Sequence, residues 1–305
     1  MKRPAQPSLS AAASQALAAY EDYLRRERDV SAATLRNYLS DLRQFLAWFE
    51  TAGQGAGGPF TPGTLTTPAI TRYRAHLQTV VKLKAASANR SLVSIKGYCA
   101  WATENGLLTR NPARAVRLVA EESRPPRHLT DQQESALVAV VTASGHRRDR
   151  TVLVLMLHTG LRAQEVCGLQ REDVRLAARS GSLKIWGKRN KYREVPLNVT
   201  VRVALREWLE ALPAEQGYLF PSGRTGRGLT PRALGQLVKK YARQAGVPDL
   251  HPHDLRHRFG YRMAESVPLH RLAQIMGHDS LDTTRLYTQG TANDLQQEVE
   301  KIAWE

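Results

Sequence analysis

The sequence predicts a mainly α-helical protein with a small β-hairpin, that is, an α+β chain organised as two domains. Three observations support this prediction. Apolar residues recur at spacings of three and four along most of the chain, two short β-prone runs flank a basic turn, and a charged segment with paired prolines separates the two parts. The length of 305 residues also favours two domains over one.

The first domain, residues 1–120, is predicted to be a small helical bundle. Its clearest helix covers residues 31–50, where apolar residues follow helical spacing after Ser31, a typical N-cap residue. Other helices are predicted at residues 12–26, from Thr67 as N-cap with Pro68 as the first helical residue, and at residues 87–104. A Gly-rich loop at residues 53–63 interrupts the bundle.

A linker is predicted at residues 121–128, EESRPPRH, because paired prolines end any helix there. The second domain, residues 129–305, opens with a capping box formed by Thr130 and Gln133, and its first helix is predicted to run through Val141. Further helices are predicted at residues 149–158, 199–212, 231–244, 253–264, 269–276, 282–288 and 293–303.

The β-hairpin is the exception in this helical domain. Residues 183–186 and 192–197 are β-prone and flank the sequence Gly-Lys-Arg-Asn-Lys. The pattern therefore predicts a hairpin with a basic tip that presents Lys188, or its competitor Lys191, on a turn.

The charge of the chain points to a polyanionic partner. Lys and Arg number 44 against 28 Asp and Glu, which gives a net charge of +16, and both domains are basic. Such a surface attracts polyanions and binds them in a salt-sensitive way, so nucleic acid is the predicted partner. The alternative at this level is a soluble protein that is merely basic.

Composition excludes other classes. The longest strongly apolar run, residues 152–157, is too short to cross a bilayer, so no membrane partner is expected and a cytoplasmic protein is predicted. Cys99 and Cys167 form no CxxC pattern, which excludes a disulfide scaffold and a cysteine-cluster metal site. No GxxxxGK[ST] loop or acidic magnesium cluster is present, so phosphoryl chemistry would need side-chain cations in place of a metal or nucleotide cofactor.

Side chains of the second domain supply that chemistry. Two arginines, Arg162 and Arg256, can clamp the oxygens of a phosphodiester through planar donor forks. Tyr287 can attack phosphorus and store the bond as a phosphotyrosine ester, a hairpin lysine can protonate the leaving oxygen, and His253 can bind the phosphate or take the tyrosine proton.

Each residue also fits a structural role when it is taken alone. The arginine after a Gly helix stop can begin a solvated helix, the lysine can be a solvated turn residue, and the tyrosine can be a packing residue. His251, His253 and His257 fit core packing or, less well, a zinc cluster, since no matching carboxylate or HExxH pattern accompanies them.

Four segments read in order carry a family resemblance: TGLRAQE (159–165), WGKRNKYREVPL (186–197), HPHDLRHRF (251–259) and MGHDSLDTTRLYT (276–288). They resemble the signature boxes of tyrosine recombinases, the phage-integrase and Xer-type superfamily. The resemblance implies a C-terminal catalytic domain and an N-terminal SAM-like core-binding domain, which together form a C-shaped clamp on DNA. It favours a simple Xer-like or transposon-type integrase of a mobile element.

The resemblance also implies roles for individual residues. Arg162 and Arg256 would hold the scissile phosphate and Tyr287 would be the nucleophile. Lys188 would be the general acid, with His253 and His278 assisting at the phosphate and Glu165 supporting the site. The tip reads Gly-Lys-Arg where the family often has Gly-Lys-Gly, so its geometry is expected to differ.

The implied activity is site-specific recombination of double-stranded DNA. Strands would be cleaved and rejoined through a 3′-phosphotyrosine intermediate and a four-way junction, without metal, ATP or another cofactor. A homotetramer would hold two DNA sites, and the C-terminal stripe of Leu295, Val299 and Ile302 would dock into a neighbouring protomer or pack on its own domain. A partner recombinase or directionality factor stays open.

Three alternatives remain at this stage: a type IB topoisomerase-like DNA-relaxing enzyme, a catalytically silent DNA-binding accessory factor and a metal-dependent nuclease. For DNA binding, the candidate helices are residues 87–104 and 231–244. We expect their basic residues to hold the DNA backbone rather than to read bases. The candidates are Arg90, Lys96, Lys239, Lys240 and Arg243, with Lys191 of the hairpin.

Overall fold

A computed structural model gives the fold of the chain. The structure describes residues 7–27, 30–51, 60–121, 127, 129–187, 192–278 and 281–288. It divides into two compact units, residues 1–123 and 124–305. The predicted helix at residues 293–303 and most of the predicted linker lie outside the described residues.

The first unit contains four helices of the predicted bundle. They are α1 (Ala11–Arg26), α2 (Ala32–Thr51), α3 (Thr67–Thr79) and α4 (Ala85–Glu104). The predicted N-cap of α3 is wrong by one residue, because the side chain of Thr66 accepts the hydrogen bond from the Ala69 amide, so Thr67 is the first helical residue.

Aromatic packing holds this bundle together. Tyr20 of α1 meets Tyr98 of α4 edge to face, with ring centroids 5.4 Å apart, and Phe45 of α2 meets Tyr73 of α3 at 5.0 Å. All four rings are at most 2% exposed. These contacts join α1 to α4 and α2 to α3, and such pairs add to the gain from burying apolar area.

The second unit contains the remaining eight helices of the described residues. They are α5 (Asp131–Ala143), α6 (Arg147–Thr159), α7 (Ala163–Gly168), α8 (Val199–Ala211), α9 (Pro231–Gln244), α10 (Pro252–Ala264), α11 (Leu269–Met276) and α12 (Leu281–Arg285). The predicted capping box is present, with Thr130 accepting from the Gln133 amide. The helix predicted at residues 282–288 divides into α12 and a short 3-10 helix, Leu286–Thr288.

A three-stranded antiparallel sheet accompanies these helices, in the order β1 (Val174–Leu176), β2 (Gly181–Trp186), β3 (Tyr192–Pro196). The predicted hairpin is β2 with β3, and the predicted basic tip from residue 188 to residue 191 lies outside the described residues. Strand β1 was not predicted, because three residues are too short to show an alternating pattern.

Helix α6 is the centre of the second unit. Each residue of its apolar run, 152–157, is at most 3% exposed, so the helix is surrounded on all sides rather than buried along one stripe. Helices α5, α8 and α10 pack around it. No helix in the described ranges is long and apolar enough to cross a membrane.

Helix α10 is fixed to α5 by a buried ion-pair network. The Arg258 guanidinium donates to Glu134 at 2.6 Å and to Asp131, and Arg262 donates to Glu134 at 3.1 Å. Because Arg258 is only 4% exposed and Asp131 lies at the surface, loss of Glu134 would leave a buried charge without a buried partner. This network holds in place the helix that carries HPHDLRHRF.

Helix α6 ends where only glycine fits. Gly160 has φ +62°, a left-handed conformation that costs other residues about 1 to 2 kcal/mol. A methyl group on its Cα would also overlap the ring of Phe259, a residue of α10 that is 7% exposed. The sequence Thr-Gly-Leu-Arg therefore combines a helix end with a close approach to α10.

We expect Gly160→Ala to lower the free energy of unfolding by about 2 to 4 kcal/mol, because it adds overpacking to left-handed strain. Gly145→Ala is the matched control. Gly145 has φ +69° but no described heavy atom within 4 Å of the place that a methyl group would take, so about 1 kcal/mol is expected. Urea unfolding followed by tryptophan fluorescence measures both. Equal losses would contradict the proposed role of Phe259.

Candidate active site

Most of the predicted site residues converge around α10 and the end of α11. Arg162 is the N-cap of α7, directly after the Gly160 turn, and Glu165 lies in the first turn of that helix. His253 and Arg256 lie on α10, His278 follows α11, and Tyr287 lies in the 3-10 helix. Three segments that are distant in sequence, residues 159–165, 251–259 and 276–288, thus contribute to one site.

Helix α11 ends in a Schellman-type turn. Gly277 has φ +65°, its amide donates to the Gln274 carbonyl, and the His278 amide donates to the Ala273 carbonyl. A methyl group on Gly277 would lie 2.7 Å from Cζ of Arg193. The turn sets the position of His278, and glycine is required both for the backbone angle and for the adjacent guanidinium.

Three arginines bind the last carbonyl groups of this turn. Arg193 Nε donates to the Ile275 carbonyl at 3.2 Å, Arg256 Nη2 to the Met276 carbonyl at 3.0 Å, and Arg162 Nη2 to the Gly277 carbonyl at 2.6 Å. The carbonyls at a helix C-terminus lack helical partners and carry partial negative charge. These three carbonyl groups therefore bind three arginine side chains at one place.

Arg256 is the most deeply placed of these cations, at 2% exposure. Besides Met276 it donates to the Gly160 carbonyl through Nη1, and its Nη2 lies 2.7 Å from His278 Nε2. Burial, and then the positive charge of Arg162, lower the pKa of Arg256 to about 10. The guanidinium is still charged at neutral pH, and an anion bound beside it would relieve both effects.

Arg193 is a site residue that was not predicted. Its Nη1 and Nη2 form two parallel hydrogen bonds with the Glu165 carboxylate, at 2.9 and 3.0 Å. The same carboxylate accepts from the Arg162 amide at 2.8 Å and from Arg162 Nη1 at 3.0 Å. Glu165 thus joins two arginines, and its supporting role stays a prediction.

The alternation of inward-facing and outward-facing side chains along β3 was the sequence signal for Arg193. Arg193 pairs with Ile185 across the hairpin and lies two residues before Val195, so it shares the inward face of the sheet with both. An arginine at an inward-facing position needs a buried partner. Here the partner is Glu165: burial alone would raise the pKa of this carboxyl group, but the hydrogen bonds and charges of Arg193 and Arg162 outweigh burial and lower it.

The contacts of His278 define its protonation. A guanidinium only donates, so Nε2 of His278 accepts from Arg256, and Nδ1 carries the proton and donates to Thr284 Oγ1 at 2.8 Å. Burial, followed by the charges of Arg256 and Arg162, lowers the pKa of His278 to about 4. His278 is therefore neutral, and Thr284, which is fully buried, fixes its tautomer.

Tyr287 is enclosed by aromatic side chains and by Gly260 of α10. Its ring is stacked on His278, with centroids 6.2 Å apart and an interplanar angle of 14°, and meets Tyr261 edge to face at 5.3 Å. The phenol is 6% exposed, and its hydroxyl lies 3.2 Å from His257 Nδ1. Burial raises the pKa of Tyr287, although Arg256 acts in the opposite direction, so the phenol is protonated at neutral pH.

His257 is the second residue whose position the sequence did not reveal. The sequence suggested core packing for it, and it is indeed buried, but its ring nitrogen contacts the predicted nucleophile. The spacing of His253 and His257 by one helical turn is the available signal, and their rings meet edge to face at 4.4 Å. His253 itself is exposed at the surface of α10.

The zinc alternative for these histidines finds no support in the geometry. Within the described ranges, no group of three His, Cys, Asp or Glu side chains is arranged to hold a metal ion. Asp254, the carboxylate next to His253, caps α10 by accepting from the His251 amide at 2.7 Å.

The predicted DNA-binding residues differ in their surroundings. Lys239, Lys240 and Arg243 are exposed on α9, where Lys240 also lies over the ring of Tyr241. In the first unit, Arg90 forms two hydrogen bonds with Asp41, both 2.9 Å, and Lys96 donates to the Ala113 carbonyl at 2.7 Å. Lys188 and Lys191 lie outside the described residues.

Comparison with known proteins gives consistent matches along the chain. Residues 127–294 match the phage integrase family, and residues 17–106 match the phage integrase N-terminal SAM-like domain. The tyrosine recombinase XerC of Azotobacter vinelandii (strain DJ / ATCC BAA-1303) is 37% identical over 283 residues, which cover 89% of this chain and 90% of that protein. The tyrosine recombinase XerC of Mycobacterium sp. (strain JLS) is 32% identical, covering 90% and 94%.

A solved structure shows the same fold. The Tn1549 transposon integrase, in complex with transposon right end DNA, superposes with a TM-score of 0.74 at 18% identity, covering 96% of this chain and all of that one. This helical fold with a small antiparallel sheet, taken with the XerC relatives, defines a site-specific tyrosine recombinase. The chain belongs to the phage integrase family. The topoisomerase and accessory-factor alternatives are not favoured.

We expect Gly260→Ala to disturb the site without unfolding the protein. A methyl group at this position in α10 would lie 2.5 Å from Cε1 and Cζ of Tyr287, so the tyrosine must move. Alanine favours the helix by about 0.5 to 1 kcal/mol, which offsets part of the repacking cost. Thermal unfolding should therefore change little while strand cleavage falls at least tenfold.

Gly235→Ala on α9 is the matched control. It has the same helical preference and no described heavy atom within 4 Å of the added methyl position, so both stability and cleavage should be retained. Full cleavage by Gly260→Ala would show that Tyr287 does not act from this position.

Proposed function

We propose that Tyr287 attacks a DNA phosphodiester held by Arg162 and Arg256, and that the enzyme recombines strands through the resulting 3′-phosphotyrosine. The observation that carries this proposal is the contact of the buried Arg256 with His278, whose ring is stacked on the Tyr287 ring. A reactive hydroxyl group and a cationic phosphate-binding group are thereby held close to one another.

The electrostatics of the site favour a phosphodiester. Burial and the positive charge of Arg162 both lower the pKa of Arg256, and Glu165 compensates its charged form only in part. A phosphate oxygen supplies the missing negative charge, and the extra charge that develops on the non-bridging oxygens during attack supplies more. The arginines are therefore suited to bind the transition state more strongly than the substrate.

Each step of the reaction forms one phosphorus–oxygen bond and breaks another. The Tyr287 oxygen forms a bond to phosphorus, and the bond from phosphorus to the 5′ oxygen breaks. By family resemblance, Lys188 protonates that oxygen, and His253 and His278 assist at the phosphate. Attack of a 5′ hydroxyl group on the phosphotyrosine reverses these steps and joins the strands, so no external energy source is required.

The net charge of the chain and its similarity to known integrases support DNA as its binding partner. The net charge of +16 and the DNA held by the Tn1549 integrase support a double-stranded recombination site as substrate, which also favours the cytoplasm as the location. A homotetramer joined by the C-terminal stripe, a clamp around DNA, and a partner recombinase or directionality factor remain predictions. Leu295, Val299 and Ile302 of that stripe lie outside the described residues.

A trapped intermediate tests the nucleophile. The DNA is a duplex selected from a random-sequence pool by binding to the protein, nicked in turn at each central position and radiolabelled, with EDTA present. We expect a labelled, protease-sensitive adduct on a denaturing protein gel for the wild type and none for Tyr287→Phe, which keeps the ring packing. An adduct with Tyr287→Phe, or a requirement for added metal, would overturn the proposal.

Salt dependence tests the exposed cations of α9. We expect Lys239→Ala or Arg243→Ala to reduce the slope of log K against log salt concentration by about one for each lost phosphate contact. Arg25→Ala is the control, because this exposed arginine is paired with Glu21 at 2.6 Å and its charge is already balanced. Unchanged slopes for the α9 variants would remove this helix from the DNA interface.

A further inference from the structure

This inference rests on the proposed function. If Tyr287 attacks the phosphodiester, another group must accept its phenolic proton. The phenol is buried and its pKa is raised, mainly by burial, so the hydroxyl must lose its proton during attack rather than beforehand. A general base for this step must lie within hydrogen-bonding distance of the phenolic oxygen. Three histidines surround the tyrosine or the adjacent arginine: His253, His257 and His278.

His278 is unsuited to this step. Its Nε2 lone pair already accepts from Arg256, and its Nδ1 proton is donated to Thr284. Its ring is also nearly parallel to the Tyr287 ring, at 14°, and a stacked ring directs its nitrogen lone pairs away from its neighbour. Protonation of His278 at Nε2 would break the bond to Arg256 and bring two cations together.

His257 has the required geometry. Its Nδ1 lies 3.2 Å from the Tyr287 hydroxyl, in a buried position, and its ring meets that of Tyr287 at 57° rather than in parallel. By contrast, the ring of His253 contacts His257 rather than the tyrosine, and His253 is exposed. Among the described histidines, His257 alone offers a ring nitrogen to the phenol.

We propose that His257 is the general base of the cleavage step and accepts the phenolic proton on Nδ1 as Tyr287 attacks. The Tyr287 oxygen forms its bond to phosphorus, the proton moves to Nδ1 to give an imidazolium, and the 5′ oxygen leaves. In the joining step the 5′ hydroxyl attacks phosphorus, and the imidazolium returns its proton to the departing phenolate. Protons and bonds balance over the two steps.

The charges around His257 suit a base that acts only when DNA is bound. Burial, then His253, and then Arg256 lower its pKa to about 4, against the opposite effect of Asp254, and Tyr287 faces it from the 3-10 helix. Without bound DNA, the imidazole of His257 is therefore neutral at neutral pH. A bound phosphate adds negative charge and favours the imidazolium, so proton transfer becomes easier when the substrate is in place.

The test measures the single-turnover rate of adduct formation on the nicked duplex with His257→Asn. Asparagine places a hydrogen-bonding atom near the Nδ1 position but cannot take up the proton. We expect a loss of about 10²-fold or more with unchanged DNA affinity. The wild-type rate should fall towards acid pH as His257 becomes protonated, and this acid limb should be absent from His257→Asn. His270→Asn, at an exposed position on α11, is the control and should match the wild type.

Chemical rescue separates a base from a packing residue. We expect imidazole to restore adduct formation by His257→Ala, whereas pyrazole, of similar shape but much weaker basicity, should not. Thermal unfolding establishes that both variants are folded, and if His257→Asn is not, the rescue of His257→Ala decides. A rate for His257→Asn within threefold of the wild type, or equal rescue by both azoles, would overturn the assignment. Adducts with Tyr287→Phe would instead overturn the proposed nucleophile, and the role of His257 with it.

Discussion

The geometry of the site depends on the C-terminal end of α11, where three consecutive carbonyl groups bind three arginines. Three guanidinium groups repel one another, and their convergence needs a compensating negative charge. The partial charge of the helix end and the carboxylate of Glu165 supply it. Because Ile275, Met276 and Gly277 are adjacent, their arginines are held in one place by backbone geometry rather than by flexible side-chain pairs.

This arrangement joins parts of the chain that lie far apart in sequence. Arg162 comes from the turn after α6, Arg193 from β3 and Arg256 from α10, and each contacts the same turn. The left-handed Gly277 makes the turn possible, and it directs His278 toward Arg256 and Tyr287. A disturbance of β3 would therefore reach Arg162 through Glu165, although β3 itself contributes no predicted reacting group.

The sequence predicted most of this molecule because much of it depends on local patterns. Helix periods, the Thr130 capping box and the hairpin are encoded by neighbouring residues, and the four ordered boxes carried the reacting residue types. The sequence did not reveal Arg193 and His257. Their roles come from contacts across the fold, with Glu165 and with Tyr287, which have no regular spacing in the chain. The short β1 was missed because three residues are too few to show an alternating pattern, and the N-cap at Thr66 was missed because Thr66 and Thr67 fit a cap equally well.

Burial sets the protonation states of the site residues when DNA is not bound. The pKa of Tyr287 is raised by burial, so the proposed nucleophile keeps its proton, while the pKa values of His257 and His278 are lowered to about 4, so both imidazoles are neutral and only weakly basic. Arg256 is charged but crowded by Arg162. One added negative charge would raise the pKa values of Arg256 and of His257 together, because it favours the guanidinium and an imidazolium. A phosphodiester is such a charge, so the site is built to become reactive through the binding of its own substrate, and cleavage without correctly placed DNA is disfavoured by the same burial that shapes the site.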